Sequence, residues 1–133
     1  MNDVPIEKIP GFGAVAPLFS NKKLYHFSFV RSFLFAEEED ELGDRWMCIR
    51  LVMEHDSLLK EMIGLLFERV SAVEFSGFGQ IQGLCFQSVV ERGWEKLRFE
   101  VGDYEEGKIH LYCHAIQFFA VERGWTIATT RST

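Results

Sequence analysis

At 133 residues, 47% of them hydrophobic, the chain can bury a single core without disulfides or structural metals, and its composition excludes a disordered polymer. Its net charge of −6 disfavours nucleic acid and anionic membrane surfaces, which need clustered Lys and Arg, and permits a basic protein partner. No apolar stretch approaches the roughly 18–20 residues that cross a bilayer. Residues 1–10 lack the basic-then-apolar pattern of a signal peptide, so the expected location is cytoplasmic. Cys48, Cys85 and Cys113 are odd in number, widely spaced and set in apolar stretches. They read as reduced thiols packed as small hydrophobes.

Residues 1–22 hold all three prolines and read as an irregular lead-in, followed by a single antiparallel β domain over 23–133. Between 24 and 35 a ring falls on almost every second residue: Tyr25, Phe27, Phe29, then Arg31, then Phe33 and Phe35. Alternate side chains of a strand share a face, so this segment is expected to carry one nearly all-aromatic face. Such a face is either the spine of the core or an exposed stacking platform. Arg31 among those rings must pair, stack, or sit at a bulge where the alternation resets.

An acidic connection follows at 36–44, with Glu37, Glu38, Glu39, Asp40, Glu41 and Asp44. Residues 45–54 alternate again, Met47, Ile49, Leu51 and Met53 on one face, so two long strands around an acidic loop predict a hairpin. In 56–70, Leu59, Met62, Ile63, Leu66 and Phe67 fit a helical stripe capped by Asp56 or Ser57. Gly64 and the short apolar run favour a strand, as do the neighbouring strands. One short helix around 57–68 stays as the alternative.

Further strands are expected at 71–75 and 81–90. After them come 97–101 and 109–116, joined by a polar turn holding Asp103, Glu105 and Glu106. Val-Glu-Arg-Gly-Trp occurs at 90–94 and again at 121–125 and reads as a shared turn device, implying a four-strand meander at the C-terminal end. The whole predicts a mainly β fold, an antiparallel β-sandwich or partly closed barrel of about seven to eight strands.

No motif carries specific catalytic chemistry. Gly77, Gly79 and Gly83 have the wrong spacing and context for a phosphate loop. His110 and His114, four apart on a strand, stand about 13 Å from each other, too far to share a zinc ion. Cys113 and His114 are strand neighbours on opposite faces and cannot form a nucleophile–base pair. Glu54-His55-Asp56 reads as a solvated turn. The solid run Glu37–Glu41 lacks the alternation of a calcium loop. It serves either to keep edge strands from aggregating or to steer a basic partner.

The runs WMCIRLV (46–52), LLFERVSAVEF (65–75), LCFQSVV (84–90), KLRFEV (96–101) and KIHLYCHAIQF (108–118) in a small acidic chain resemble the β-rich immunity proteins of bacterial toxin–immunity systems. The resemblance implies a non-enzymatic inhibitor that binds a toxin domain, often a basic nuclease, and blocks its active site. From the charge and the missing motifs, no catalytic residue, metal or cofactor is expected, and no nucleic-acid or membrane partner. Expected partner contacts are Glu37, Glu38, Glu39, Asp40, Glu41 and Asp44, with Asp103, Glu105 and Glu106 in the second polar turn. Two alternatives stay open: a ligand-binding β-barrel, carrier or enzyme, with an aromatic-lined cavity, and a homodimeric scaffold domain.

Overall fold

A computed structural model describes residues 4–19, 24–39, 41–55, 61–76, 79–80, 84–89, 98–103 and 108–121. The strands are β1 (Phe27–Glu39), β2 (Arg45–His55), β3 (Met62–Glu68), β4 (Ser71–Phe75), β5 (Gly79–Gln80), β6 (Leu84–Ser88), β7 (Phe99–Asp103), β8 (Ile109–Cys113) and β9 (Ala115–Ala120). They form two antiparallel sheets, ordered β5-β1-β2-β3-β9 and β4-β8-β7-β6. The result is a β-sandwich and not a closed barrel. The segment open to a helical reading is β3 from Met62 onward, while residues 56–60 lie outside the described set.

Directly opposed residues share a face, so the register defines the core. One row across the first sheet is Phe33, Leu51, Leu65 and Phe118; the next is Phe35, Ile49, Phe67 and Ile116. Against these rows the second sheet sets Leu84, Phe86, Val101, Ile109 and Leu111, all buried. The core therefore lies between two apolar faces, the arrangement that alternation in each strand requires.

The aromatic stripe does not form one face. Tyr25 belongs to a 3-10 turn (Leu24–His26), and β1 carries register shifts between Phe27 and Phe29 and between Val30 and Ser32. Each shift inserts one residue, so the core positions of β1 become Phe27, Val30 and Phe33. Phe29 falls opposite Glu54, on the other face, and Arg31 reaches solvent. The cause is Arg31: a guanidinium has no place among buried rings, and the bulge releases it to pair with Glu54 at 3.8 Å.

The expected acidic loop is also corrected. β1 runs on through Glu37, Glu38 and Glu39, paired with Met47, Trp46 and Arg45, so those three acids stand on strand, and the described part of the turn is 41–44. The expected C-terminal meander stops short as well. β6, β7 and β8 are consecutive neighbours, but β9 crosses to the first sheet and pairs with β3. The switch falls at His114, whose amide donates to Glu68 O at 2.9 Å. Both copies of Val-Glu-Arg-Gly-Trp, apart from Val121, lie outside the described residues.

The lead-in acts as a strap. Val4 N donates to Phe86 O on β6 (2.9 Å), and Pro10 O accepts from Phe118 N on β9 (2.8 Å), so residues 4–19 tie one edge of each sheet. Its short helix α1 (Phe12–Val15) starts after Gly11, which has φ +83° and lies against the Phe118 carbonyl where a Cβ would collide. Phe19 then packs against Phe27 and Phe118, with ring centroids 5.1 and 6.0 Å away.

Candidate functional site

β3 pairs with β2 only over Cys48–Glu54, so the distal part of the β1–β2 hairpin extends beyond the third strand as an arm. Its turn uses Gly43 at φ +86°, a conformation glycine adopts without a Cβ penalty. Glu37, Glu38, Glu39, Glu41 and Asp44 are all exposed on this arm, while Asp40 lies outside the described residues. Between residues 36 and 46 the six acids face one base, Arg45. The Glu37–Arg45 contact (3.6 Å) joins two largely exposed side chains and leaves the field of the arm negative.

Two apolar side chains punctuate the acids. Leu42 at the tip is 88% exposed and Phe35 at the root 49%, the exposed large hydrophobics among the described residues. On the opposite face Arg69 sits over the Trp46 ring, Cζ 4.8 Å from the centroid. That contact anchors the root of the arm to the end of β3.

The second predicted acid group is placed elsewhere. Asp103 ends β7, and its Oδ1 accepts the Ile109 amide at 3.2 Å, so this carboxylate closes the β7–β8 hairpin. Glu105 and Glu106 lie outside the described residues. Ile109 pairs with Phe75, whose ring stacks on Phe33, so Asp103 belongs at the level of Phe33. Glu39 stands six residues further along β1, about 20 Å of strand. Asp103 therefore does not join the acids at the tip of the arm.

The Glu54-His55 pair is not a solvated turn. Both residues are buried at the end of β2. His55 stands edge-on to Phe27 (5.0 Å) and tilted to His26 (5.8 Å), and its amide donates to Glu61 O. Continued pairing of β2 with β1 and with the chain entering β3 draws these polar residues inside. Asp56 is outside the described residues.

A polar group on the outer face of the second sheet escaped sequence reasoning. His110 Nε2 lies 2.7 Å from Glu100 Oε2, and the Tyr112 hydroxyl donates to the same oxygen at 3.4 Å. These residues are ten and twelve positions apart in sequence. The register that unites them, Glu100 opposite Tyr112 and Gly102 opposite His110, follows only from the hairpin's pairing. His114 sits apart from the trio, between β8 and β9.

The thiols at Cys48 and Cys113 are poor nucleophiles. Burial, aided by Glu38 and Glu68, pushes Cys48 up to about 11, and burial with the nearby Glu68 charge pushes Cys113 up to about 12. Both stay protonated at neutral pH, and only a thiolate attacks. Among the described residues no three His, Cys, Asp or Glu side chains are grouped to hold a metal ion. No helix among them is long and apolar enough to cross a membrane. Of the glycine-rich segment read as a turn or bulge, Gly79 lies in β5, and residues 77–78 and 81–83 are outside the described set. No protein family, curated protein or solved structure matches the chain.

Proposed function

We propose that this protein is a non-enzymatic protein-binding module, an immunity-type inhibitor that binds and neutralises a basic toxin domain in the bacterial cytoplasm. The observation that carries the reading is the arm. Five described acids are exposed on the two strands and turn of this hairpin, with Leu42 at its tip and Phe35 at its root. Preorganised charge of one sign steers a basic partner and excludes acidic ones, and apolar residues within the charged field supply contact area. The Glu37–Arg45 pair on the arm is exposed to solvent, so it adds little to the stability of the fold.

The alternative of an aromatic-lined ligand cavity loses support at its lining. Phe27 is in the core against Phe19 and Phe33 is stacked on Phe75, so these two rings pack against other side chains.

The test is co-purification with the product of the adjacent gene, then association kinetics against salt. A variant carrying Glu37→Gln, Glu38→Gln, Glu39→Gln and Glu41→Gln is expected to slow association about tenfold or more at low ionic strength. An unchanged on-rate and affinity in that variant would sink the role of the arm.

A further inference from the structure

Four strands lie at the edges of the two sheets, and the fold treats them differently. The strap bonds to β6 and to β9. The edge strand β4 is bent by Ala72 at φ +53° and by a register shift between Ser71 and Glu74. On the remaining edge, β5 covers β1 only at Phe29 and Val30. Beyond Val30 no other described strand pairs with that side of β1, and Phe35–Glu39 are exposed.

The direction of the backbone groups along this edge follows from two hydrogen bonds. His55 N donates to Glu61 O (2.7 Å), and Met47 O accepts from Val70 N (2.9 Å). Odd-numbered residues of β2 therefore turn their N–H and C=O toward β3, and even-numbered ones toward β1. Opposite the even-numbered residues stand Ser32, Leu34, Ala36 and Glu38, which bond inward to β2. Phe33, Phe35, Glu37 and Glu39 thus direct their N–H and C=O outward.

We propose that the partner docks by strand addition: an extended basic segment pairs with Phe33–Glu39 along this edge, in line with β5. The proposal rests on the reading of the protein as a binder of a basic partner and adds how that partner is held. Backbone pairing to the outward groups supplies affinity, and the alternating side chains supply selectivity. Apolar residues of the segment lie beside Phe33 and Phe35, and Lys or Arg beside Glu37 and Glu39, at the cross-strand spacing where opposite charges attract. Acids on an edge repel neutral aggregation and acidic strands, yet they admit a basic one. A second copy of this chain would bring its own acid run to the same edge, which disfavours self-pairing.

The test uses the full chain, isotope-labelled, with a nine-residue synthetic peptide of alternating Lys and Val as probe and its Glu–Val counterpart as control. On saturation with the basic peptide, the amides of Phe33, Phe35, Glu37 and Glu39 are expected to exchange at least tenfold more slowly. Those of Leu34, Ala36 and Glu38 are already protected in the free protein. Glu37→Ala and Glu37→Pro both remove the charge, but only proline removes the outward N–H while leaving the β2 ladder intact. Glu37→Pro should therefore bind the peptide roughly fivefold to tenfold more weakly than Glu37→Ala. The pair Glu39→Ala and Glu39→Pro, nearer the strand end, repeats the comparison should Glu37→Pro misfold.

Equal binding by the proline and alanine variants, or unchanged exchange at those four amides, overturns strand addition. The charge reading stands separately on the Gln variant. Failure of the wild-type chain to bind the Lys–Val peptide at low salt also overturns strand addition. Sedimentation as a dimer with the four amides protected before peptide is added identifies a second copy as the occupant and overturns it too.

Discussion

The rings of Phe33 on β1 and Phe75 on β4 stack with centroids 3.9 Å apart and planes within 7°, joining the two sheets on the side the strap does not reach. The strap closes the other side through Val4 and Pro10. The sandwich is thus closed by backbone bonds on one flank and by a ring pair on the other.

Replacing Phe75 with Ala removes that clasp. The ring is half-buried, so the expected loss is about 2 kcal/mol, below the range for a fully buried Phe→Ala change. A lowered urea midpoint with an unchanged slope checks it.

Gly11 and Gly13 are expected to respond in opposite directions. Gly11→Ala meets both a positive φ and the Phe118 carbonyl, and should cost about 2 kcal/mol or more. Gly13 lies in α1 with open space around its Cα, so Gly13→Ala should stabilise by about 0.5–1 kcal/mol. Thermal unfolding of the two variants side by side separates these effects.

The buried thiols make stability fall at high pH. Cys48 and Cys113 hold their protons in the folded state up to about 11 and about 12, whereas in the unfolded chain they ionise near 9.0. The unfolded state therefore binds fewer protons above pH 9, and stability declines from there toward pH 11 and 12. Denaturant midpoints measured from pH 8 to 11 should decrease, and less steeply in Cys113→Ala. In thiol labelling at pH 8, half-buried Cys85 should react ahead of both.

The fourfold Gln variant of Glu37, Glu38, Glu39 and Glu41 should be as stable as the parent, within about 0.5 kcal/mol, because exposed ion pairs contribute little. A melting temperature that falls by many degrees would show that these acids serve the fold.

The β class, the β1–β2 hairpin and the acid run were legible in the residues, because side-chain alternation and turn chemistry act over a few positions. The proposal that 37–41 meets a partner rests on the same local signal. Position was less legible: Asp103 looks like another exposed acid in sequence, yet its carboxylate is committed to the Ile109 amide. The trio of Glu100, His110 and Tyr112 was hidden because it depends on the register of a hairpin.

By itself the sequence determined the β class, most of the strands and where charge collects, since these follow from residue type and a period of two. Tertiary structure alone decided which face each residue takes. Two bulges in β1 expel Phe29 and Arg31 from the aromatic stripe. At His114, whose amide bonds to Glu68 O, the chain leaves β8 and β9 pairs with β3 in the other sheet. The physical reason is that pairing partners, distant in the chain, set register, and one inserted residue exchanges the faces of all that follow. In β1 the second insertion undoes the first, so Phe33, Phe35, Glu37 and Glu39 are again the residues whose backbone faces outward.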